Sequence, residues 1–238
     1  MGYFVFAEEL IIVKSLQLIL SVVVLGLGTT TVAHSAPKTS GQTPKDFVSL
    51  ADIAPTIKID MKYAGSDNFT GRPVPGYEAN KCLLTRPAAA ALKRAQDWLS
   101  KFKIQLSVYD CYRPERAVAQ FVKWAADLND TSTKAIHYPK VAKENLFSDG
   151  YISDRSGHSR GSTVDIGLTD LDAGTPFDFF DPQSHTASPD PGQSQRATRA
   201  LLSAAMERVG FVNYEKEWWH FTLSPEPHRN DYFDFPVR

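Results

Sequence analysis

Apolar and polar positions alternate at two places early in the chain. Ile57-Lys58-Ile59-Asp60-Met61-Lys62-Tyr63 and Ile104 to Tyr109 follow the period of two that turns one side of a strand toward a core. Between them the period changes. Leu92, Ala95, Trp98, Leu99 and Phe102 form one apolar stripe, which predicts a helix over Pro87 to Phe102, with Pro87 suited to its first turn. Arg113 stands directly before Pro114, which opens a second helix through Ala117, Val118, Phe121, Val122 and Ala125. Thr163 to Leu168 reads as a short strand. Ser194 is placed to cap a third helix, whose stripe is Ala197, Leu201, Leu202, Ala205 and Val209 and which Gly210 closes. Tyr214 to Leu223 reads as a final strand. Asn68 to Tyr77 and Asp170 to Asp190 are loops by their Gly, Pro and Asp content, and residues 127–153 show no clear period. Strands and helices interleave, yet the loops are long. The pattern predicts an α+β fold, a small and mostly antiparallel sheet with helices packed on it.

Composition adds limits. Of 238 residues, 42% are hydrophobic and 22% charged, an ordinary globular balance with enough chain for one real core. The net charge of −1 gives no electrostatic case for binding nucleic acid or an anionic membrane.

The N-terminus reads as a targeting segment. Lys14 precedes an apolar run from Leu16 to Gly28, too short for a full membrane span, and small and polar residues follow up to Ala36. The expected organisation is a signal peptide over 1–36 cleaved between Ala33 and Ala36, a polar linker over 37–48, and one domain over 49–238. An uncleaved anchor is the alternative. Cleavage would remove Glu8, Glu9 and Lys14, leave the remainder formally neutral, and deliver the protein to the periplasm with no membrane attachment. The chain holds two cysteines, Cys82 and Cys111. Export favours a disulfide between them, and two buried free thiols remain the alternative.

Two short stretches carry candidate chemistry: Ser156-Gly157-His158-Ser159-Arg160-Gly161-Ser162-Thr163-Val164-Asp165, and Glu217-Trp218-Trp219-His220. His158, Asp165 and His220 offer two imidazoles and a carboxylate, a donor set that suits one catalytic Zn²⁺ with water in the fourth position. Glu217 is then a spare carboxylate able to take a proton from that water. His158 and Asp165 are too far apart in any straight element to share an ion, so the chain must fold back at Ser159-Arg160-Gly161. Glu217 and His220, three apart in a strand, would face opposite sides, which requires a bulge at Trp218-Trp219. Each residue alone has a plainer reading as a hydrogen-bonded or core side chain. His34, His137, His185 and His228 receive no other.

The same stretches, with Lys62-Tyr63-Ala64, Asp67-Asn68-Phe69-Thr70-Gly71, Gly76-Tyr77-Glu78, Asp110-Cys111-Tyr112-Arg113-Pro114, Phe177-Asp178 and the tail Tyr232 to Pro236, resemble the D-alanyl-D-alanine dipeptidase family of zinc metallopeptidases. The resemblance runs from about Ile57 to Pro236. It implies the fold shared with D,D-carboxypeptidases and the hedgehog signalling domain. It also implies zinc on His158, Asp165 and His220, Glu217 as acid and base, Arg113 at the transition state, and Asp178, Ser156, Tyr63 and Tyr77 near a bound dipeptide. Family members include cytoplasmic enzymes without signal peptides, and Cys111 stands where a small residue is expected in those. The implied reaction is hydrolysis of D-Ala-D-Ala to two D-alanines. Its rivals are a D,D-carboxypeptidase or peptidoglycan endopeptidase, and a zinc-bearing binding module without turnover.

Overall fold

The computed structural model describes residues 43–238, so the expected signal peptide lies outside the described residues. The elements in chain order are β1 (Phe47–Ser49), α1 (Leu50–Ile53), β2 (Lys58–Ile59), β3 (Leu83–Thr85), α2 (Arg86–Leu99), β4 (Leu106–Asp110), α3 (Glu115–Ala126), α4 (Lys134–His137), β5 (Thr163–Leu168), α5 (Gln193–Glu207), β6 (Phe211–Asn213) and β7 (His220–Leu223), with short 3-10 turns between them. A five-stranded sheet runs β2-β4-β5-β7-β6, and β1 pairs with β3 in a separate ribbon. Among these strands β2 and β4 pair in parallel, and the other four pairs are antiparallel. This is the α+β architecture that the interleaved pattern predicts. Among the described residues, no helix is long and apolar enough to cross a membrane.

The strand β5 is buried along its whole length, because it lies between β4 and β7 and is covered on both faces. Its ends match the predicted strand residue for residue. The helix predicted to reach Phe102 keeps its α form only to Leu99. Ser100–Phe102 then tightens into a 3-10 turn, and Lys103 adopts φ 60° to turn the chain into β4. The strand expected over 57–63 is shorter, because Tyr63 leaves the sheet edge in a 3-10 turn (Lys62–Ala64) that buries its ring. The third helix is capped by Gly192, not Ser194: the Gly192 N–H donates to Gln195 Oε1 at 2.6 Å. The final strand is in fact a hairpin. Residues 214–219 form the connection between β6 and β7, with the Glu217 N–H on the Tyr214 carbonyl at 3.0 Å and the His220 N–H on the Glu217 carbonyl at 3.2 Å.

The polar stretch expected as linker gives way to β1 at Phe47, whose ring is buried among Tyr112, Phe233 and Phe235 at centroid separations of 5.4, 5.2 and 5.1 Å. Gly161 touches this cluster. A Cβ there would sit 2.3 Å from the Phe47 ring, and its φ of 81° favours glycine, so the turn after His158 is fixed by close approach as well as by backbone angle.

A disulfide joins Cys82 to Cys111, both fully buried. It ties the start of β3 to the end of β4. Closing a loop of this length stabilises by about 3.6 kcal/mol in a chain-entropy argument. Replacing both cysteines with serine is therefore expected to lower the unfolding free energy by about 2–5 kcal/mol. Denaturant unfolding of the double variant against the oxidised protein checks this, and an unchanged midpoint would show that the bridge is energetically idle.

Candidate active site

The site is built on one rung across three neighbouring strands. Asp165 of β5 pairs with His220 of β7 on one side and with Asp110 of β4 on the other. The β4–β5 register runs Leu106 to Leu168, Ser107 to Gly167 and Val108 to Ile166. It then skips Tyr109, so that Asp110 stands opposite Asp165. That extra residue is a β-bulge, which brings Asp110 onto the rung beside Asp165. His158 enters from the 3-10 turn Gly157–Arg160. Ser156 caps this turn, its Oγ accepting from the His158 N–H at 3.2 Å, and Gly161 reverses the chain into β5. The predicted fold-back between His158 and Asp165 is present.

His158 Nε2, Asp165 Oδ1 and His220 Nδ1 converge. The separations are 3.3 Å from His158 to Asp165, 3.0 Å from His220 to Asp165, and 3.4 Å between the two imidazole nitrogens. Ligands about 2.0–2.1 Å from a tetrahedral ion lie about 3.3 Å from one another, so the triangle has the size of one face of such a shell. The chemistry agrees. His158 Nδ1 lies 2.7 Å from the Cys111 carbonyl, which can only accept, so Nδ1 carries the hydrogen and Nε2 presents a lone pair to the cluster. Asp165 Oδ1 is buried and accepts no hydrogen bond. His158 Nε2 and Asp165 Oδ1 turn acceptors toward one point, His220 Nδ1 completes the triangle, and these three residues are the candidate metal cluster among the described residues.

Glu217 sits on the hairpin connection, with Oε2 at 3.5 Å from His220 Nδ1 and outside the ligand triangle. The hairpin takes the place of the bulge expected at Trp218-Trp219. By returning the chain at β7's first residue, it brings Glu217 and His220 to the same cleft. Burial pushes the Glu217 carboxyl up to about 8; the Asp165 charge adds to the rise and Arg113 opposes it.

Arg113 lies just before α3. Its Nε donates to Asp110 Oδ2 at 2.9 Å, and Nη2 lies 2.8 Å from the same oxygen and 3.5 Å from Asp165 Oδ2. Nη1 reaches Ser156 Oγ at 3.5 Å, and the guanidinium packs over the rings of Tyr63 and Phe121 at 5.1 and 5.0 Å. Burial would lower its pKa, but Asp110 first, then Tyr63, Tyr77 and Asp165, hold it well above the ordinary value.

Asp178 faces the same cleft and is buried. Tyr63 donates its hydroxyl to both carboxylate oxygens, at 3.1 and 3.0 Å. Burial, then the charges of Asp165 and Glu217, raise its carboxyl well above the usual range. The cleft has a volume of about 230 Å³ and is lined by Tyr63, Arg113, Ser156, Asp165, Asp178, Glu217 and His220, together with Tyr151, Tyr214 and Trp219. It is smaller than the roughly 300–1,000 Å³ of pockets for drug-sized ligands. Tyr77 is placed differently from the other expected substrate neighbours. It does not line the cleft but stands behind Arg113, donating to Asp110 Oδ1 at 2.6 Å.

Residue type alone assigns Asp110 no role. It is fully buried and receives Tyr77, Arg113 and the Cys111 N–H, with His158 Nδ1 at 3.4 Å from Oδ2. Its place three residues before Arg113 was the available signal. The Cys111 carbonyl, which sets the His158 tautomer, carried none.

A family model described as D-ala-D-ala dipeptidase matches residues 43–238. A D-alanyl-D-alanine dipeptidase of Streptomyces coelicolor is 43% identical over 198 residues, covering 81% of this chain and 98% of that protein. One from Enterococcus faecium is 40% identical over 198 residues, with the same coverage of 81% and 98%. One from Escherichia coli is 33% identical over 183 residues, covering 75% of this chain and 84% of that protein. With a matching family model over all of the described residues and relatives aligned along most of their own length, this chain belongs to the D-alanyl-D-alanine dipeptidase family of metallopeptidases.

Proposed function

We propose that the protein hydrolyses free D-Ala-D-Ala to two D-alanines in the periplasm, with one zinc ion per chain held by His158, Asp165 and His220. The observation that carries this reading is the position of Glu217. It is a buried carboxyl at the edge of the ligand triangle without belonging to it, and it shares a small cleft with an arginine and a second buried carboxylate. A binding module needs neither the spare carboxylate nor the arginine.

When bound, zinc supplies Lewis acidity and lowers the pKa of water at the site. Glu217 takes the proton of the attacking water and returns it to the departing amine, so that water adds across the amide and the C–N bond breaks. Its raised affinity for protons, produced by burial and by Asp165, suits a group that must both accept and donate near neutral pH. Arg113 is held by Asp110 on one edge, which leaves its outer N–H groups directed at the cleft, where the carbonyl oxygen gains charge. Asp178, with Tyr63 fixing its oxygens, takes the ammonium of the dipeptide, and Ser156 lies beside Arg113. A site that buries the ammonium on Asp178 disfavours longer peptides extended at that end, since an acylated nitrogen leaves the carboxylate unpaired. This separates the reading from a D,D-carboxypeptidase or endopeptidase. Comparing free D-Ala-D-Ala with its N-acetyl form tests it: only the free dipeptide should turn over. The signal peptide over 1–36 and the Cys82–Cys111 bridge both suit an exported protein.

Glu217→Ala is expected to retain zinc and to lose at least about 10²–10⁴-fold in kcat, the usual contribution of one acid–base group. A kcat within tenfold of wild type, or loss of the metal, would show that Glu217 is not the proton carrier. Arg113→Ala should also retain zinc and lower kcat more than it raises KM, because its main contact forms with the developing oxyanion.

Proton linkage gives an independent check on the metal-free protein. The Glu217 carboxyl rises from an ordinary 4.5 to about 8 on folding. Its contribution to stability is therefore full below pH about 4.5 and is lost as pH rises through about 8. Chelator-treated protein should lose stability across that window, and Glu217→Gln should flatten part of the loss. A Glu217→Gln profile superimposable on wild type would contradict the assigned environment.

A further inference from the structure

His137, which had only a plain reading in the sequence, grips the turn that carries Asp178. It is buried at the end of α4, far along the chain from that turn. Its Nδ1 lies 3.0 Å from the Asp178 carbonyl oxygen, and since a carbonyl can only accept, Nδ1 bears the hydrogen. Its own carbonyl accepts the Phe180 N–H at 2.7 Å. One residue thus clasps the turn 178–180 at both ends.

The turn needs a clasp. Asp178 has φ 58°, in the left-handed region that a residue with a Cβ enters only at a cost, although Asp tolerates it better than most. Relaxation to a common backbone angle would swing the Cα–Cβ bond and carry the carboxylate away from the cleft. Tyr63 fixes the carboxylate oxygens but not the backbone from which they project. Phe180, the other held residue, is buried against Phe69 at 5.2 Å and Tyr151 at 5.4 Å, which anchors the turn without setting the angle at Asp178. Burial also lowers the pKa of His137, so the neutral ring with hydrogen on Nδ1 prevails near pH 7.

We propose that His137 is a positioning residue for substrate selection: its Nδ1–H holds Asp178 in the left-handed conformation that presents the carboxylate to the free amino terminus of the dipeptide. The proposal rests on Asp178 as the ammonium contact. His137 does not line the cleft and acts only through that residue.

The test compares His137→Leu, which removes the donor, with His137→Asn, whose amide nitrogen occupies nearly the place of Nδ1. With D-Ala-D-Ala, His137→Leu should raise KM at least tenfold and keep kcat within threefold, the pattern of lost uniform binding. His137→Asn should restore KM to within threefold of wild type. In an Asp178→Asn background, His137→Leu should add less than twofold, because both changes remove one interaction. An unchanged KM in His137→Leu overturns the proposal, as does a full tenfold effect in the Asp178→Asn background, which would mean general damage to the fold. Nitrogen-15 spectra of the wild-type imidazoles need no activity and no variant. His137 should be the Nδ1–H tautomer, and an Nε2–H tautomer overturns the proposal outright. Zinc-loaded wild type that turns over no dipeptide would instead count against the proposed activity, with the tautomer still deciding the role of His137.

Discussion

Three polar residues share one rung of a buried sheet, and the arrangement of the cleft follows from how they come to do so. Asp110, Asp165 and His220 lie side by side on β4, β5 and β7. A regular antiparallel register would set Tyr109, not Asp110, opposite Asp165. The single skipped residue in β4 brings Asp110 to the rung, and the turn at Gly161 lets His158 close over it. The Cys82–Cys111 bridge clamps the strand end where this occurs, and the Cys111 carbonyl fixes which nitrogen of His158 faces the cluster. The backbone that makes the fold stable is therefore the backbone that aims the ligands.

Burying carboxylates this densely has to be offset locally. Asp110, Asp165, Asp178 and Glu217 are all buried, with Arg113 as the guanidinium among them. Each finds a different solution. Asp110 is satisfied by Tyr77, Arg113 and a backbone N–H. Asp165 faces two imidazole nitrogens and has an oxygen that no hydrogen bond satisfies, which a cation would complete. Glu217 and Asp178 hold their protons more tightly than free carboxyls do. The division matches the proposed roles: a positioning carboxylate, a metal ligand, a proton carrier and an ammonium contact, all made from the same functional group by different surroundings.

Much of this was legible in the sequence. The apolar stripes of α2, α3 and α5 and the alternation around β2 and β4 come from burial of one face or both, and burial patterns survive into the linear chain. His158, Asp165, Glu217 and His220 stood out because their residue types fit one chemistry. The geometric objection to Glu217 and His220 in one strand was sound, but its solution was a hairpin rather than a bulge, since the Tyr214 to Trp219 aromatics that suggested a strand pack from a loop. Asp110 and His137 were not legible as functional residues. Their importance lies in hydrogen bonds to groups distant in sequence or to backbone carbonyls; these leave no period, and Asp110 left only its place three residues before Arg113. The αL conformation of Asp178 was equally hidden, as Asp in a loop reads the same in any conformation.

In the proposed function, His158, Asp165 and His220 form one face of a tetrahedral zinc site whose open side meets Glu217. Anomalous diffraction recorded on both sides of the zinc absorption edge, from crystals of the oxidised protein grown with one equivalent of zinc, tests it most directly. A single strong peak is expected about 2.0–2.2 Å from His158 Nε2, His220 Nδ1 and an Asp165 oxygen, with Glu217 outside bonding distance. A peak bonded to Glu217 in place of one of the three, or a crystal that binds zinc only elsewhere, would contradict it.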